Sequence, residues 1–569
     1  MGKELDIWQI GNTGLRSPAR VWEGLRIFAD SPFNGDLRGA NEARFQELLI
    51  EKGLVKPTGT AKDTSSYARK WRYIFGRFGL TFPKVNKKDG QQDELGILDE
   101  VTPFGYTFLK ADSDASRQEC FLRSLSVEQY PTADKSGLFS PLRWILAIML
   151  ELERQTGSSE LTRIEFCLWG QTTDPTDEVK EVVAKILDLR ERRMRATAKR
   201  RFDSAEISAR AQAYSKQKNN FTDYGDMNMR YLRIGGVLHR KGRGLEIASS
   251  KHVLAEQLAK LTMSHEPILE TYRVLCHGAP LPIDNRASAM QVLRGVEKQL
   301  KDNELSYDLS KYDLSQVSEI NMACQALEQE LQEHDEMAYA QKQPEQWQEI
   351  SEYMRLLTKG GGKSVNHEDE NEGIEVPREE AASYLEWTLW RALLAMGHLE
   401  NPPSMVRHFR LDADFFPVST AGGGQGDLYS DYADYSLLTE VTLSTSSRQE
   451  AMEGEPVRRH LWDEIQKNRE RGRQTDTYGL FIANKVNNNT AETFRHGVWY
   501  DNEGSKERLD IVPMDLADFR EFFMMLFEEG ITDKPTVLKN LLTSSEAQRD
   551  SMDAPEWCRY ISRIATGKE

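Results

Sequence analysis

Residues 417–445 read PVSTAGGGQGDLYSDYADYSLLTEVTLST. A glycine-rich loop at 421–426 runs into Asp427. DLYS is extended, the stretch from Asp431 to Asp434 is a turn, and SLLTEVTLS is an apolar run with strand character. Two strands joined by so short a turn bring Asp427 and Glu440 to one point. Paired hard oxygens at one point are what Mg²⁺ takes, because the ion keeps waters and draws its other ligands from a substrate phosphate. The competing reading is a pair of polar residues on a solvent-facing edge.

The flanking segments extend the pattern. PREEAASYLEWTLWRALLAMG (377–397) is predicted as a helix, with Pro377 near its first position and Gly397 as its stop. Glu386 lies mid-helix among Leu385, Trp387 and Leu389, either on an exposed stripe or pointed at a metal. LDADFFPVS is extended. EPVRRHLWDEIQKNRERG (455–472) is a helix, with Glu453 just before it and His460 two turns in. A histidine there polarises water, contacts a phosphate when charged, or simply packs beside a sheet. TYGLFIANKV and RLDIVPMD are strands, TAETFRHGVWYD is helical or mixed, and LADFREFFMMLFEEG (516–530) is a helix. Strands alternating with helices predict an α/β layout with a mixed sheet.

The first half has a different character. Net charge over 569 residues is −16, but residues 1–250 carry 40 Lys+Arg against 34 Asp+Glu, a net of +6, and the remainder nets −22. Within 190–243 the count is 15 basic to 5 acidic. Such a block focuses positive potential, as a phosphate-backbone binder requires; a solvated basic helix is the alternative. TAKDTSSYARKWRYIFGRF (60–78), starting at Asp63 or Thr64, reads as a helix leading through GLTFP and a turn at 88–90 to ELGILDEVTPFGYTFL. The helices 140–157 and 177–201 precede RYLRIGGVLHR, a turn at 241–244, and LEIAS. Helix followed by hairpin, twice, predicts two winged-helix-like units. Residues 285–358 read as a helical spacer, and the glycines at 360–362 with the acidic 367–373 as a flexible joint.

Length predicts three or four domains. The 52 aromatics suffice for several cores, which excludes global disorder. No apolar run is long enough to span a membrane, and the N-terminus lacks a secretory signal. Five scattered cysteines suit a reducing cytosol and argue against a disulfide framework.

An aspartate and a glutamate spaced this way on a hairpin form the skeleton of PD-(D/E)xK nucleases. Gly426 departs from that pattern where proline is usual, and Thr442 where lysine is usual. The chain resembles the AlwI-like type IIS restriction endonucleases, a group with strand-nicking relatives. The resemblance is carried by EWTLW around Glu386, by 417–445, by EGEPVRRH up to His460 and by GLFIANKVNNNTAETF. It continues through LRSPARVWEGLRIF, QYPTADKSGLFSPLRWILAI and RYLRIGGVLHRKGRGLEI.

The resemblance implies a prokaryotic, cytoplasmic enzyme that binds an asymmetric site in double-stranded DNA. It would cleave a few base pairs away with one or two Mg²⁺ ions, leaving 5′-phosphate and 3′-OH, and would self-associate to break both strands. The family's site maps onto Glu386, Asp427, Glu440 and Glu453, with His460; the metal ligands are Asp427, Glu440 and Glu386. The expected DNA contacts are Arg16, Arg69, Lys70, Arg72, Arg192, Arg193, Arg195, Lys199, Arg200, Arg230, Arg233, Arg240, Lys241 and Arg243. The expected architecture is multidomain: α-rich winged-helix-like recognition segments at 1–118 and 119–280, a helical linker at 281–373, and an α/β PD-(D/E)xK-like nuclease domain at 374–569. The rival functions are a nicking endonuclease of the same family and a non-catalytic DNA-binding defence subunit.

Overall fold

The structure of the protein, a computed structural model, describes residues 7–12, 15, 17–55, 66–127, 129–260, 263–264, 266–364, 373–412, 414–422, 424–445, 448–501 and 503–567. The chain divides between Glu330 and Leu331 into two compact units, where four segments ending at 118, 280 and 373 were expected. The division falls inside one helix, Val317–Lys342, so the anticipated spacer is not a body of its own. The glycine joint is also internal to the second unit. Gly362–Lys363 pairs antiparallel with Glu375–Val376, and the preceding helix Trp347–Leu357 buries Ile350, Met354 and Leu357 in that unit's core. The acidic stretch 367–372 lies outside the described residues, as do Asp63 and Thr64.

The first unit is mainly helical. Helix α1 (Ser66–Arg77) lies where the sequence puts it. The strand expected to follow does not form a hairpin ladder: a single antiparallel bridge joins Thr81 to Val101. TPFGYTFL is instead the helix Pro103–Lys110. Pro103 at its first turn and the Thr102 hydroxyl, which accepts from Gly105 N at 2.8 Å, outweigh the strand preference of its aromatics. The predicted helix 177–201 breaks at Ala196–Ala198 into α2 (Val179–Arg195) and α3 (Lys199–Ala213). MRYLR belongs to the helix Lys218–Arg233 rather than to a strand. The hairpin itself, Leu238–Lys241 with Gly244–Ile247, turns where the glycines at 242 and 244 predict. A further helix, α4 (Ile268–His277), follows.

The second unit holds helix α5 (Ala381–Met396) and a four-stranded mixed sheet. The strands are β1 (Leu428–Asp431), β2 (Tyr435–Thr442), β3 (Asp476–Ala483) and β4 (Ile511–Asp515), in the order β4-β3-β2-β1. β1 and β2 are antiparallel; β3 runs parallel to both β2 and β4. Alternation along β2 sends Leu437 into the core that α5 helps to build, and Leu438 into a second core with Val457 and Leu461 of helix α6 (Glu455–Glu470). The expected mixed sheet with helices is therefore present. The described residues of LDADFFPVS form the isolated bridge Leu411 to Pro417 rather than a strand, and the sequence reading omitted two C-terminal helices, Lys534–Gln548 and Ala554–Thr566.

All five cysteines are free, and Cys120, Cys167, Cys276 and Cys324 are buried. Among the described residues no helix is long and apolar enough to cross a membrane.

The basic helix α2 has a structural reason for its arginines. Arg193 grips the fully buried Asp203 of α3 with two bonds, at 2.8 and 3.0 Å. Removing the carboxylate takes both of those bonds from a partly buried guanidinium. Asp203→Ala is therefore expected to destabilise the first unit by about 3 kcal/mol. A wild-type-like thermal midpoint would contradict this.

Candidate active site

The register of the β1–β2 hairpin sets the site. Leu428 pairs with Thr439, so continuing the register by one residue puts Asp427 opposite Glu440. Val441 N donates to Asp427 Oδ2 at 2.8 Å, and the Glu440 carboxyl is close enough to raise the proton affinity of Asp427. Glu440 sits two residues after Leu438 and faces α6 with it, where Glu440 Oε1 meets His460 Nδ1 at 2.7 Å. Helix α5 delivers Glu386, which is 5% exposed; its Oε2 accepts from Ala421 N at 2.7 Å and so ties the glycine-rich loop to the helix. Glu453 lies in the wide turn Glu450–Gly454 that runs straight into α6, where it contacts the Thr442 hydroxyl. All five sequence-predicted residues thus belong to one cluster.

Gly426 has a steric cause. A Cβ there would lie 2.3 Å from Leu438 Cδ1 and 3.0 Å from Glu440 Oε1. Leu438 is fully buried, so a proline before this aspartate would have to displace the Leu438 side chain and crowd Glu440. The sequence reading missed His408, whose Nδ1 meets Gly426 O at 2.5 Å and whose N–H donates to Asp427 O at 3.2 Å. It fixes the backbone on both sides of that peptide from a loop with no motif to mark it. Arg459 was missed too: its charge pulls down the pKa of both Glu440 and His460.

Electrostatically the cluster is under tension. Burial, then Asp427, pushes the Glu386 carboxyl up to about 9. Burial, then Glu453, pushes Glu440 up to about 8, while the Asp427 side chain opposes it. Asp427 is raised by burial and then by Glu440, and Glu453 is raised by burial. Burial, then Arg459, lowers His460, so its ring is neutral at pH 7, and Nε2 is buried without a hydrogen-bond partner. Four acids repelling one another in a poorly solvated place are a donor set that a hard dication fits. No group of three or more His, Cys, Asp or Glu among the described residues forms a ready coordination shell. In this conformation Asp427, Glu386 and Glu440 each have one oxygen engaged by an amide or by His460. Mg²⁺ asks less, one or two carboxylates with water and phosphate completing the shell.

The predicted DNA contacts are dispersed over the first unit. Arg16 lies outside the described residues. Arg72 bonds Leu37 O at 2.7 Å and pairs with Glu42, which Arg69 approaches at 3.6 Å. Lys70 lies over the Tyr67 ring. Arg192 bonds Asp188 and Glu206, Arg193 bonds Asp203, and Arg195 pairs with Glu191. Lys199 and Arg200 are exposed at the start of α3. Arg230 pairs with Asp226 at 3.2 Å, and Arg233 is partly buried near the end of the same helix. On the hairpin, Arg240 bonds Gly242 O, Lys241 pairs with Glu246 at 3.3 Å, and Arg243 is partly exposed in the turn. Much of the basic block therefore holds its own unit together.

The raised carboxyls have a consequence for stability. A carboxyl whose folded pKa exceeds its unfolded value takes up a proton on folding. Its contribution therefore weakens as pH climbs from about 4.5 through the folded value, about 9 for Glu386. In the absence of divalent cations, Glu386→Gln is expected to be more stable than wild type at pH 8, by on the order of 1–3 kcal/mol, and nearly equal to it at pH 4.5. Thermal unfolding at the two pH values measures this; a variant less stable at pH 8 contradicts the repulsion.

The chain is similar to known restriction endonucleases. A sequence model described as AlwI restriction endonuclease matches residues 90–522. No curated protein matches the chain. Among solved structures, the small subunit (R.BspD6I2) of the heterodimeric restriction endonuclease R.BspD6I is similar, with 23% identity, a TM-score of 0.29, and coverage of 38% of this chain and 97% of that one. The BpuJ1 endonuclease binding domain, solved with pyrene- and phenanthrene-modified DNA, is 13% identical with a TM-score of 0.28, covering 45% of this chain and 89% of that one. With the family match spanning most of its length and enclosing Glu386, Asp427, Glu440, Glu453 and His460, the chain belongs to the AlwI restriction endonuclease family.

Proposed function

We propose that this restriction endonuclease is a type IIS enzyme. On this reading it binds an asymmetric duplex site and hydrolyses phosphodiester bonds a few base pairs away in an Mg²⁺-dependent reaction, leaving 5′-phosphate and 3′-OH. The observation that carries the reading is the buried carboxyl pair Asp427–Glu440 at the end of the β1–β2 hairpin, with Glu386 and Glu453 beside it. Asp427 and Glu440 are the proposed metal ligands, with Glu386 as a third. When bound, one or two Mg²⁺ ions would supply Lewis-acid polarisation of the scissile phosphate and a more acidic water.

The protein groups have separate tasks. Glu386 holds the glycine-rich loop through Ala421 N, and Thr442 orients Glu453 through its hydroxyl. His460 positions the Glu440 carboxyl through Nδ1; its Nε2 is buried, so taking a proton from water there would require the site to open. Arg459 provides positive charge near Glu440 in place of the usual lysine, which Thr442 cannot. In the first unit, the helix Lys218–Arg233 and hairpin 238–247 are read as helix and wing, with exposed cations at Lys199 and Arg200 meeting phosphates. Because one chain carries one such cluster, breaking both strands requires self-association or two successive visits.

Run-off sequencing of plasmid digested with Mg²⁺ is expected to show fixed cuts displaced to one side of an asymmetric sequence. Random ends contradict type IIS cleavage, and accumulation of open circles alone selects the nicking variant. Asp427→Ala and Glu440→Ala are expected to abolish cleavage in Mg²⁺ while specific binding in Ca²⁺ persists. Cutting at the wild-type rate by either would remove the metal assignment. Gly426→Pro, which restores the residue usual in this motif, is expected to slow cleavage roughly 100-fold, because it displaces Glu440. Unimpaired cleavage contradicts the steric account.

A further inference from the structure

We infer that a basic, aromatic cleft in the first unit is a binding site for a single nucleotide, taking its phosphate and its base together. The cleft has a volume of about 380 Å³, within the range of about 300–1,000 Å³ usual for small-ligand sites. It lies between two helix faces. α1 contributes Arg69, Arg72, Tyr73 and Arg77 at helical spacing, and α4 contributes Thr271 and Tyr272. Arg38 and Lys84 complete its cationic lining, so five cationic side chains surround it against one lining carboxylate, Asp99.

The groups are held ready. Asp99 fixes the Arg38 guanidinium with two bonds, at 2.6 and 3.1 Å. Leu37 O and Glu42 orient Arg72. The Arg77 guanidinium lies 3.8 Å from the centre of the Tyr130 ring, a cation–π contact that holds it in place. Tyr73 is 42% exposed and presents a ring to solvent, and Tyr272 is partly buried opposite it. Planar guanidinium forks suit a phosphate, and phenol faces suit any base. A bare phosphate site would need no aromatics, and an apolar ligand would not need this charge. The nucleotide is either one swung out of the DNA helix or a free mononucleotide. The assignment deepens the nuclease reading, and only the duplex arm of its test depends on that reading.

In the first arm, the full-length chain is titrated with the 5′-monophosphate of 2-aminopurine deoxyriboside. Its emission is expected to be quenched saturably, with inorganic phosphate competing and the phosphate-free nucleoside failing to bind. Tyr73→Ala and Arg69→Gln are expected to weaken binding at least ~10-fold with thermal midpoints unchanged. Tyr73→Phe, which keeps the ring, should retain it, and Glu440→Ala should have no effect. In the second arm, 2-aminopurine is placed at each position of the target duplex in Ca²⁺. A single position whose emission changes, and loses that change in Tyr73→Ala, identifies the DNA as the source; no such position identifies a free nucleotide. Absence of saturable quenching by the wild-type chain in the first arm overturns the site. So does equal affinity in wild type, Tyr73→Ala and Arg69→Gln. Neither result requires that the protein cut DNA.

Discussion

The hydrogen bond from Val441 N to Asp427 Oδ2 is the constraint on which the carboxyl cluster depends. It is a side-chain extension of the β1–β2 ladder, fixing one acid against the strand that carries the other. The antiparallel register then leaves no freedom about where Glu440 goes: a one-residue slip would turn it away from His460 and bury Val441 in its place. β3 holds that register from the far side, pairing with all of β2 and placing Phe481 beside Glu440. Gly426 completes the arrangement, since only a residue without a Cβ lets the chain pass between Leu438 and Glu440.

This geometry concentrates like charge. Glu386, Asp427, Glu440 and Glu453 come from a helix, the loop end before β1, a strand and a turn, each raising the proton affinity of at least one other or being raised by burial. The apolar cores on the two faces of the sheet oppose that repulsion, as Trp387 and Trp390 on α5 and Leu461 on α6 bury fully on either side. Strain of this kind is characteristic of sites that await a counter-charge.

The site was more legible in the sequence than the fold. Glycine-rich loop, aspartate, turn and glutamate in an apolar run are local signals, and their spatial consequence follows from hairpin geometry alone. Local competition decided what was missed. TPFGYTFL has strand composition but a threonine cap and a proline at the first turn, and capping won. The basic stretch of α2 looks like a DNA surface in composition, yet Arg193 answers to Asp203 ten residues later in another helix, a pairing that no periodicity reveals. The α1–α4 cleft joins residues almost two hundred positions apart, beyond any sequence window. His408 was invisible because the loop that carries it, 18 residues before Gly426, holds no motif.

The central claim is that the carboxyl cluster exists to hold a divalent cation. Its most direct test is the proton count that accompanies binding. Carboxyls held near pKa 8 and 9 are largely protonated at pH 7, and a cation must displace those protons to enter. Calorimetric titration of Mg²⁺ at pH 7 in buffers of differing ionisation enthalpy should therefore reveal release of about one or more protons per ion bound. Cation binding without proton release, or no binding at all, would contradict the account.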